Sequence, residues 1–531
     1  MEMKISLTHL FVFFLSFYFS KTLSAQFGAQ PPFVFDLEPV NANLPGHHSF
    51  AFAQMGDKWL IIGGRTSGLH GMSSNDGFDP VFANNNVVVI DTSTWQVYTS
   101  SLSNLPYAIA DPLRSTNMEY VADSAYLYIV GGFGTDSIQN RFVTFPTLTA
   151  VRIDSTIDAV MNNTSLAPHI RQVTDTNLRV CGGEMRKMNG TYYLCFGHDF
   201  EGRYADPPVP TFTQVYANQV KKFNIADNGN SISITNYTAL TDTDNFHRRD
   251  LNLVPEILPN GNEALGAYAG VFQKTGNYPW REPITIQSNG VTVHTYQQTM
   301  NHYGCMNIPI YDSASQKMFV TFFGGISLND YNPQTNTITQ DTLIPFISDV
   351  TTFRKDPNGY MEETLLPLQL PGLLGANALF VPRTDVMTYA NGVIRFRDLP
   401  NQRTLIGYML GGIRASGTNL QPSTANDTVY RVFITPDLAF GIGDENSAVS
   451  LFNVFPDPFK NDARIQFSLA KEEEVDITVY DLAGREAEFI MKKKCNAGIN
   501  TFNWNTSLSA GMYLAELRAG HARKVIKVVV Q

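Results

Sequence analysis

The 531-residue sequence predicts an all-β protein, a β-propeller of six blades with a seventh left open, followed by a small C-terminal β-sandwich. Three observations carry this. A hydrophobic strand ending in glycine recurs six times, a lone strand precedes the first repeat, and a final stretch alternates apolar and polar residues. Composition sets the class: 43% hydrophobic and 12% aromatic residues, with 39 Gly and 28 Pro, describe a large turn-rich globular chain rather than a disordered one. A formal net charge of -10 argues against a nucleic-acid binder held by phosphate contacts.

Residues 1 to about 25 read as a secretory signal peptide. Lys4 precedes an apolar run from Leu10 to Phe19, and Leu23-Ser24-Ala25 supplies the small residues of a cleavage site. That run is shorter than a membrane span and no second one of spanning length follows, so the mature chain is expected to carry no integral membrane segment. The strand Phe33-Val-Phe-Asp-Leu-Glu-Pro-Val40 then stands alone.

The repeats come next, at Leu60-Ile-Ile-Gly63-Gly64, Tyr128-Ile-Val-Gly131-Gly132, Tyr193-Leu-Cys-Phe-Gly197, Ala267-Tyr-Ala-Gly270, Val320-Thr-Phe-Phe-Gly324-Gly325 and Tyr408-Met-Leu-Gly411-Gly412. Counted from the first glycine of each, they lie 68, 66, 73, 54 and 87 residues apart. A recurrent period in an all-β chain points to one four-stranded blade per repeat. Glycine fits because the backbone must turn sharply beside the neighbouring blade, where a Cβ would clash and a positive φ is needed. The last unit ends near Val429 to Ile434 without a fourth strand, which the lone N-terminal strand can supply, closing the ring. The stretch from Asp341 to Pro371 is long enough to hide a seventh blade.

The first unit continues with Asn86-Val-Val-Val-Ile-Asp91-Thr-Ser-Thr-Trp95, and with the double glycine before it this segment resembles a kelch repeat. The resemblance implies a kelch-like propeller over residues 30–440. Its intervals exceed the usual kelch period of about 50 residues, and the excess is expected in the loops. A linker over residues 441–451, including Gly441-Ile-Gly443-Asp-Glu-Asn-Ser447, separates it from the sandwich at 452–531.

In the sandwich, Ile477, Val479 and Leu482 alternate with Thr478 and Tyr480, and Asp481 to Gly484 supply a turn. Four motifs occur in order: Asn453-Val-Phe-Pro-Asp-Pro-Phe459, Val475-Asp-Ile-Thr-Val-Tyr-Asp-Leu-Ala-Gly-Arg485, Leu508-Ser-Ala-Gly-Met-Tyr-Leu-Ala-Glu-Leu517, and the Val/Ile run from Lys524 to Gln531. Together they resemble the type A C-terminal sorting domain of the type IX secretion system of Bacteroidota, an Ig-like sandwich. The resemblance implies that the outer-membrane translocon and a sortase are partners of residues 452–531. After periplasmic transit the cargo would then be extracellular, released or attached to the outer cell surface.

Four cysteines, Cys181, Cys195, Cys305 and Cys495, are too few for a disulfide scaffold, although export places them where pairing is allowed. Cys181 and Cys195 flank a predicted hairpin turning at Lys187-Met188-Asn189-Gly190, which leaves a bridge between them open. No CxxC spacing occurs, and neither a metal nor a cofactor is expected.

In a propeller, the segment leading into each innermost strand and the loop after each second strand emerge on one face, around the central channel. The lead-in segments carry His47-His48, Arg114-Ser115-Thr116-Asn117, His247-Arg248-Arg249-Asp250 and Asn301-His302-Tyr303. The post-glycine loops carry Arg65, His198-Asp199-Phe200-Glu201, Tyr278-Pro279-Trp280-Arg281 and Arg414. This convergence predicts a face that binds an extracellular glycan or protein, with Arg groups pairing carboxylates and aromatics stacking on sugar rings. Its candidate residues are Arg114, His198, Glu201, His247, Arg248, Arg249, Asp250, Trp280, Arg281, His302, Tyr303 and Arg414, while His47 and His48 read as structural. No residue is assigned as catalytic.

Two enzyme classes stand as alternatives. The His302-Tyr303-Gly304-Cys305 cluster with His198 and His247 offers donors for a galactose-oxidase-like copper site, although that family's axial Tyr-His pair is reversed here. The sialic-acid mutarotase family, also a six-bladed kelch-like propeller, would use Arg248 or Arg249 on the substrate carboxylate and Glu201 or His198 to move a proton. No GxSxG, HExxH, P-loop or dinucleotide fingerprint is found in its required context.

Overall fold

The computed structural model describes residues 22–24, 27–71, 77–204, 211–275, 278–332, 335, 337–341, 345–419, 422–437, 449–469, 471–481, 485–520 and 522–531. Most of the expected signal peptide, most of the linker and the turn at 482–484 lie outside them. Thr22–Ser24, inside the expected cleavage region, pairs antiparallel with Thr337 to Thr339.

Six sheets form the blades. Blade one is built in spatial order from Ala51–Met55, Lys58–Ile62, Asn86–Asp91 and Gln96–Ser101. Blade two follows with Glu119–Asp123, Tyr126–Val130, Thr147–Arg152 and Ile170–Thr174. Blade three uses Glu184–Met188, Thr191–Cys195, Gln219–Asp227 and Ile232–Thr241. Asn252–Ile257, Glu263–Tyr268, Ile284–Gln287 and Gly290–Val293 make blade four. Blade five takes Met306–Asp312, Lys317–Ile326, Phe346–Lys355 and Met361–Gln369, with Ile394–Arg395 added parallel to its first strand. The stretch from Asp341 to Pro371 therefore supplies the outer half of blade five and not a seventh blade.

Blade six closes the ring. Leu379–Pro382, Thr404–Leu410 and Tyr430–Pro436 accept Phe33–Pro39 as the fourth strand, with Phe33 opposite Pro436 and Pro39 opposite Tyr430. Phe33 and Phe35 also meet Phe319 and Phe323 of blade five edge-on, with ring centroids 5.5 and 5.2 Å apart. The closing strand thus gains both a ladder and an apolar seat. Each fully buried side chain of this size contributes about 1.5–3 kcal/mol.

The cores lie between adjacent blades. Leu60, Ile62, Val87 and Val89 of blade one pack with Leu127, Ile129 and Val151 of blade two. The same arrangement recurs across the closure, where Val381, Leu410 and Val429 meet Trp59, Ile61 and Ile90.

The glycine repeats have one geometry in all six blades. Two successive residues take positive φ: Gly63-Gly64, Gly131-Gly132, Phe196-Gly197, Ala269-Gly270, Gly324-Gly325 and Gly411-Gly412. Space demands glycine most plainly at Gly131, where a Cβ would lie 1.9 Å from the carbonyl oxygen of Val180 in the lead-in to blade three. The second glycine's N–H stitches the blades: Gly64 donates to Ser115 O, Gly132 to Val180 O, Gly197 to Arg248 O, Gly325 to Leu374 O and Gly412 to His47 O, at 2.8 to 2.9 Å. The last of these joins blade six to blade one.

The predicted hairpin at 187–190 is present, with Asn189 and Gly190 at positive φ as a two-residue turn requires. Its register does not bring Cys181 and Cys195 together. Cys195 faces Glu184, whereas Cys181 pairs with His198 beyond the glycine turn, and all four cysteines are free and buried.

The C-terminal sandwich packs a sheet of Val449–Phe455, Asp462–Leu469 and Gly498–Asn505 on one of Glu486–Cys495, Glu473–Tyr480, Gly511–Ala519 and Ala522–Val530. Ile465, Phe467 and Trp504 bury against Ile477, Val479, Leu517 and Val528, and this core includes no propeller residue. No helix among the described residues is long and apolar enough to cross a membrane.

Candidate functional site

One local conformation, repeated six times, builds the axial site. The residue leading into each blade bridges to the residue just past the glycine turn: His48 to Arg65, Thr116 to Phe133, Cys181 to His198, Arg249 to Val271 and Tyr303 to Ile326. In blade six, Ile413 N–H donates to Ala376 O at 2.8 Å. The next residue then turns left-handed, at Ser49, Asn117, Gly182, Asp250, Gly304 and Asn377, with φ between 50 and 65°. Asn, Asp and Gly tolerate this region best, and they hold five of the six positions. Seventeen of these eighteen residues, all but Gly182, line a funnel of about 330 Å³, with Leu69, His70, Phe78, Phe200, Tyr204, Phe272 and Phe346.

The funnel has a charged centre and an aromatic wall. Arg249 is ion-paired to Asp250 and lies 5.4 Å from the Phe272 ring centroid. Burial works against the Arg249 charge, but Asp250, Tyr216 and Tyr204 more than offset it and hold its pKa above the ordinary value. Its Nε, buried, has no partner. Asp250 accepts a long hydrogen bond from Asn117 Nδ2 at 3.4 Å. On the wall, His70 stacks on Phe78 at 4.1 Å, Phe78 meets Phe133 at 4.9 Å, and Phe133 meets Phe200 at 5.0 Å.

Three histidines in the funnel are neutral at pH 7. Burial, aided by Arg65, pulls His48 down to about 3, and burial pulls His70 down to about 4. His198 falls well below the usual range for the same reason, with Arg249 adding to the effect. Its Nδ1 is held 2.5 Å from Gln214 Nε2. Charge in the funnel is therefore carried by Arg249, Arg65 and Asp250.

Of the predicted site residues, His198, Arg249, Asp250 and Tyr303 come together here. The others go elsewhere. Arg248, fully buried, donates from Nε to Asn245 O at 2.9 Å and from Nη1 to Glu282 O at 2.8 Å and Ala269 O at 3.3 Å. Trp280 lies against its guanidinium at 4.6 Å and donates from Nε1 to His247 O, so this pair is an internal strut. His247 stacks on Tyr216 at 3.7 Å outside the funnel lining. Glu201 is engaged by Arg179 and Arg141, Arg281 Nε by Gln298 O, and Arg414 by Asn426 and Thr428. His302 is buried with Nδ1 on Gly324 O at 2.6 Å, and Arg114 lines a separate groove.

His48, which the sequence marks as structural, is buried with Nδ1 on Ser49 Oγ at 3.0 Å and Nε2 on Gly68 O at 3.3 Å, and it also lines the funnel. His70, Phe78, Tyr204 and Phe272 were not anticipated. The left-handed ring did leave a signal, since Ser49, Asn117 and Gly182 each precede the second glycine turn residue, Gly64, Gly132 and Gly197, by 15 positions.

The copper donors do not converge. His198 and Tyr303 line the funnel, whereas His247 and His302 do not. Among the described residues no three His, Cys, Asp or Glu side chains are grouped to hold a metal ion.

An all-β ring closed by its own N-terminal strand, with an independent C-terminal sandwich, defines an exported propeller once the sandwich is identified. Residues 453–531 match the family described as the secretion system C-terminal sorting domain. The chain carries that domain, and it directs export by the type IX system to the cell surface or the extracellular space. Among solved structures, the chain is similar to that described as "Structure of YjhT", at 12% identity over 73% of this chain and 99% of that one, with a TM-score of 0.40. A second is the "Novel fungal alcohol oxidase with catalytic diversity among the AA5 family, in complex with copper", at 11% identity over 95% and 100%, with a TM-score of 0.35. No curated protein matches the chain.

Proposed function

We propose that this exported kelch-like propeller binds an extracellular glycan in its axial funnel. The observation that carries the reading is the Arg249–Asp250 pair set among aromatic faces in a cavity lined from all six blades. A sugar offers hydroxyls that both donate and accept, matching a paired guanidinium and carboxylate, and C–H faces that pack on rings. At about 330 Å³ the cavity suits a small ligand or the end of a chain better than a protein surface. Residues 1 to about 25 are removed on export, and 452–531 address the propeller to the translocon and sortase.

A glycan array probed with the secreted full-length chain tests this. The neutral double variant R249Q/D250N removes both charges, with Asn isosteric to Asp and Gln a shorter polar side chain than Arg, and it should lose about tenfold or more in affinity for the best-bound glycan. Unchanged binding in a folded double variant would sink the reading.

A sugar-processing activity of the mutarotase type has one observation in its favour, the neutral imidazole of His198 on the funnel wall. Faster exchange between the anomers of a bound sugar, seen by NMR and lost in H198A, would establish it. Glu201, tied to two arginines away from the funnel, is not its proton carrier.

A further inference from the structure

A second cavity opens beside the funnel, between blades one and two. This groove of about 170 Å³ shares Arg65, Phe78, Thr116 and Phe133 with the funnel lining, so the two are neighbours across a common wall. Arg65 is 5% exposed, donates from Nη2 to Asp79 O at 3.1 Å, and leaves its buried Nε without a partner. Arg114 also lines the groove; it reaches Asp111 at 3.3 Å and Ser103 Oγ at 3.2 Å, and its buried Nε is also unpartnered.

Asp111 is the acidic residue of this lining, and its carboxylate is already engaged. It accepts from Ser137 N at 2.8 Å and Ser137 Oγ at 3.1 Å besides Arg114. Two guanidinium groups thus line the groove with one occupied carboxylate. The Asp79 carboxylate, which accepts from Val81 N at 3.0 Å, acts on Arg65 from outside the lining, and a further cation is close by, since Arg203 lies 4.7 Å over the Phe142 ring that lines the groove. Arginines with free N–H groups, one buried and one partly buried, favour a planar or tetrahedral oxyanion over a neutral hydroxyl.

We propose that the groove is an anion-selective subsite, and that the ligand is an elongated acidic glycan. One sugar fills the funnel, and the next carries a carboxylate or sulfate ester into the groove between Arg65 and Arg114. This rests on the funnel being a glycan site.

Calorimetry on the secreted full-length chain with three matched disaccharides, bearing a carboxylate, a sulfate ester or neither, tests the proposal. The acidic forms should bind about tenfold more tightly than the neutral one at low salt, and the better of the two identifies the oxyanion. The preference should shrink as sodium chloride rises from 20 to 500 mM, a check that needs no variant. In R114Q it should fall below about twofold. Equal affinity for acidic and neutral disaccharides would overturn the groove and leave the funnel standing, as would an acidic preference that R114Q keeps. If none of the three binds, the funnel reading fails and the groove falls with it.

Discussion

Arg248 and Arg249 are adjacent in sequence and opposite in role, and replacing Arg248 with methionine separates them. Arg248 gives three hydrogen bonds to backbone carbonyls of Asn245, Ala269 and Glu282 and packs on Trp280. Methionine keeps the apolar stem but no donor. The Ala269 carbonyl is buried and the other two are partly buried; each left unsatisfied costs up to about 1–3 kcal/mol. Relief from burying a charge, which draws the Arg248 pKa down to about 9, offsets part of the sum. The net loss is about 4 kcal/mol, in the range found when a buried charge network is broken. Unfolding entropy of about 2 cal/mol/K per residue over roughly 400 propeller residues converts this to a fall of roughly 5 °C in Tm. Scanning calorimetry of R248M beside R249Q/D250N provides the assay: the first should melt early and bind when folded, and the second, which removes both charges of the pair together, should melt within roughly 2 °C of the parent. An R248M protein as stable as the parent, or a stable one that no longer binds glycan, would refute the assignment of Arg248 as a strut.

Two further outcomes concern stability. Gly131→Ala sets a Cβ 1.9 Å from Val180 O and should destabilise far more than Gly190→Ala, whose Cβ meets nothing within 4 Å and whose cost is the left-handed penalty of about 1–2 kcal/mol; chemical denaturation compares them. His302, which burial lowers to about 4, must stay neutral in the fold, so its contribution is complete above the unfolded value near 6.5 and is lost as pH falls from there to about 4. That amounts to on the order of 3 kcal/mol, and H302Q should flatten the stability-versus-pH curve in that window. A chain ending near Asp444 should fold and bind but remain inside the cell, as fractionation would show, because the sandwich core contains no propeller residue.

The glycine turns made the ring legible because a double left-handed bend beside a neighbouring blade excludes other residues at most of its positions. Where Phe196 and Ala269 adopt the same φ, the tandem glycine is lost while the turn persists. Closure by Phe33–Pro39 was legible for a similar reason, since an unpaired strand at one end matched a missing one at the other. The site was only half legible. Chain position places His247, Arg248, Arg249 and Asp250 together, yet successive side chains leave the backbone in different directions, and only Arg249 and Asp250 reach the axis. His70, Phe78 and Phe272 come from irregular loops, where no periodicity marks the inward face.

Closure also orders the events of biogenesis. Phe33–Pro39 pairs with residues 430–436, so the funnel, lined from all six blades, cannot be complete until nearly the whole propeller has been synthesised. Contacts of such sequence separation form late, because the loop entropy is lost before the ladder compensates for it. The sorting domain at 453–531 lies beyond that last pairing partner. A chain cut short before residue 430 therefore lacks both the closing partner and the export address, and a chain that carries the address has already made every strand its ring requires. An address placed ahead of the propeller would export unclosed rings, whose exposed first and last blades would present open edges to aggregation; placed after it, export and closure depend on the same completed chain.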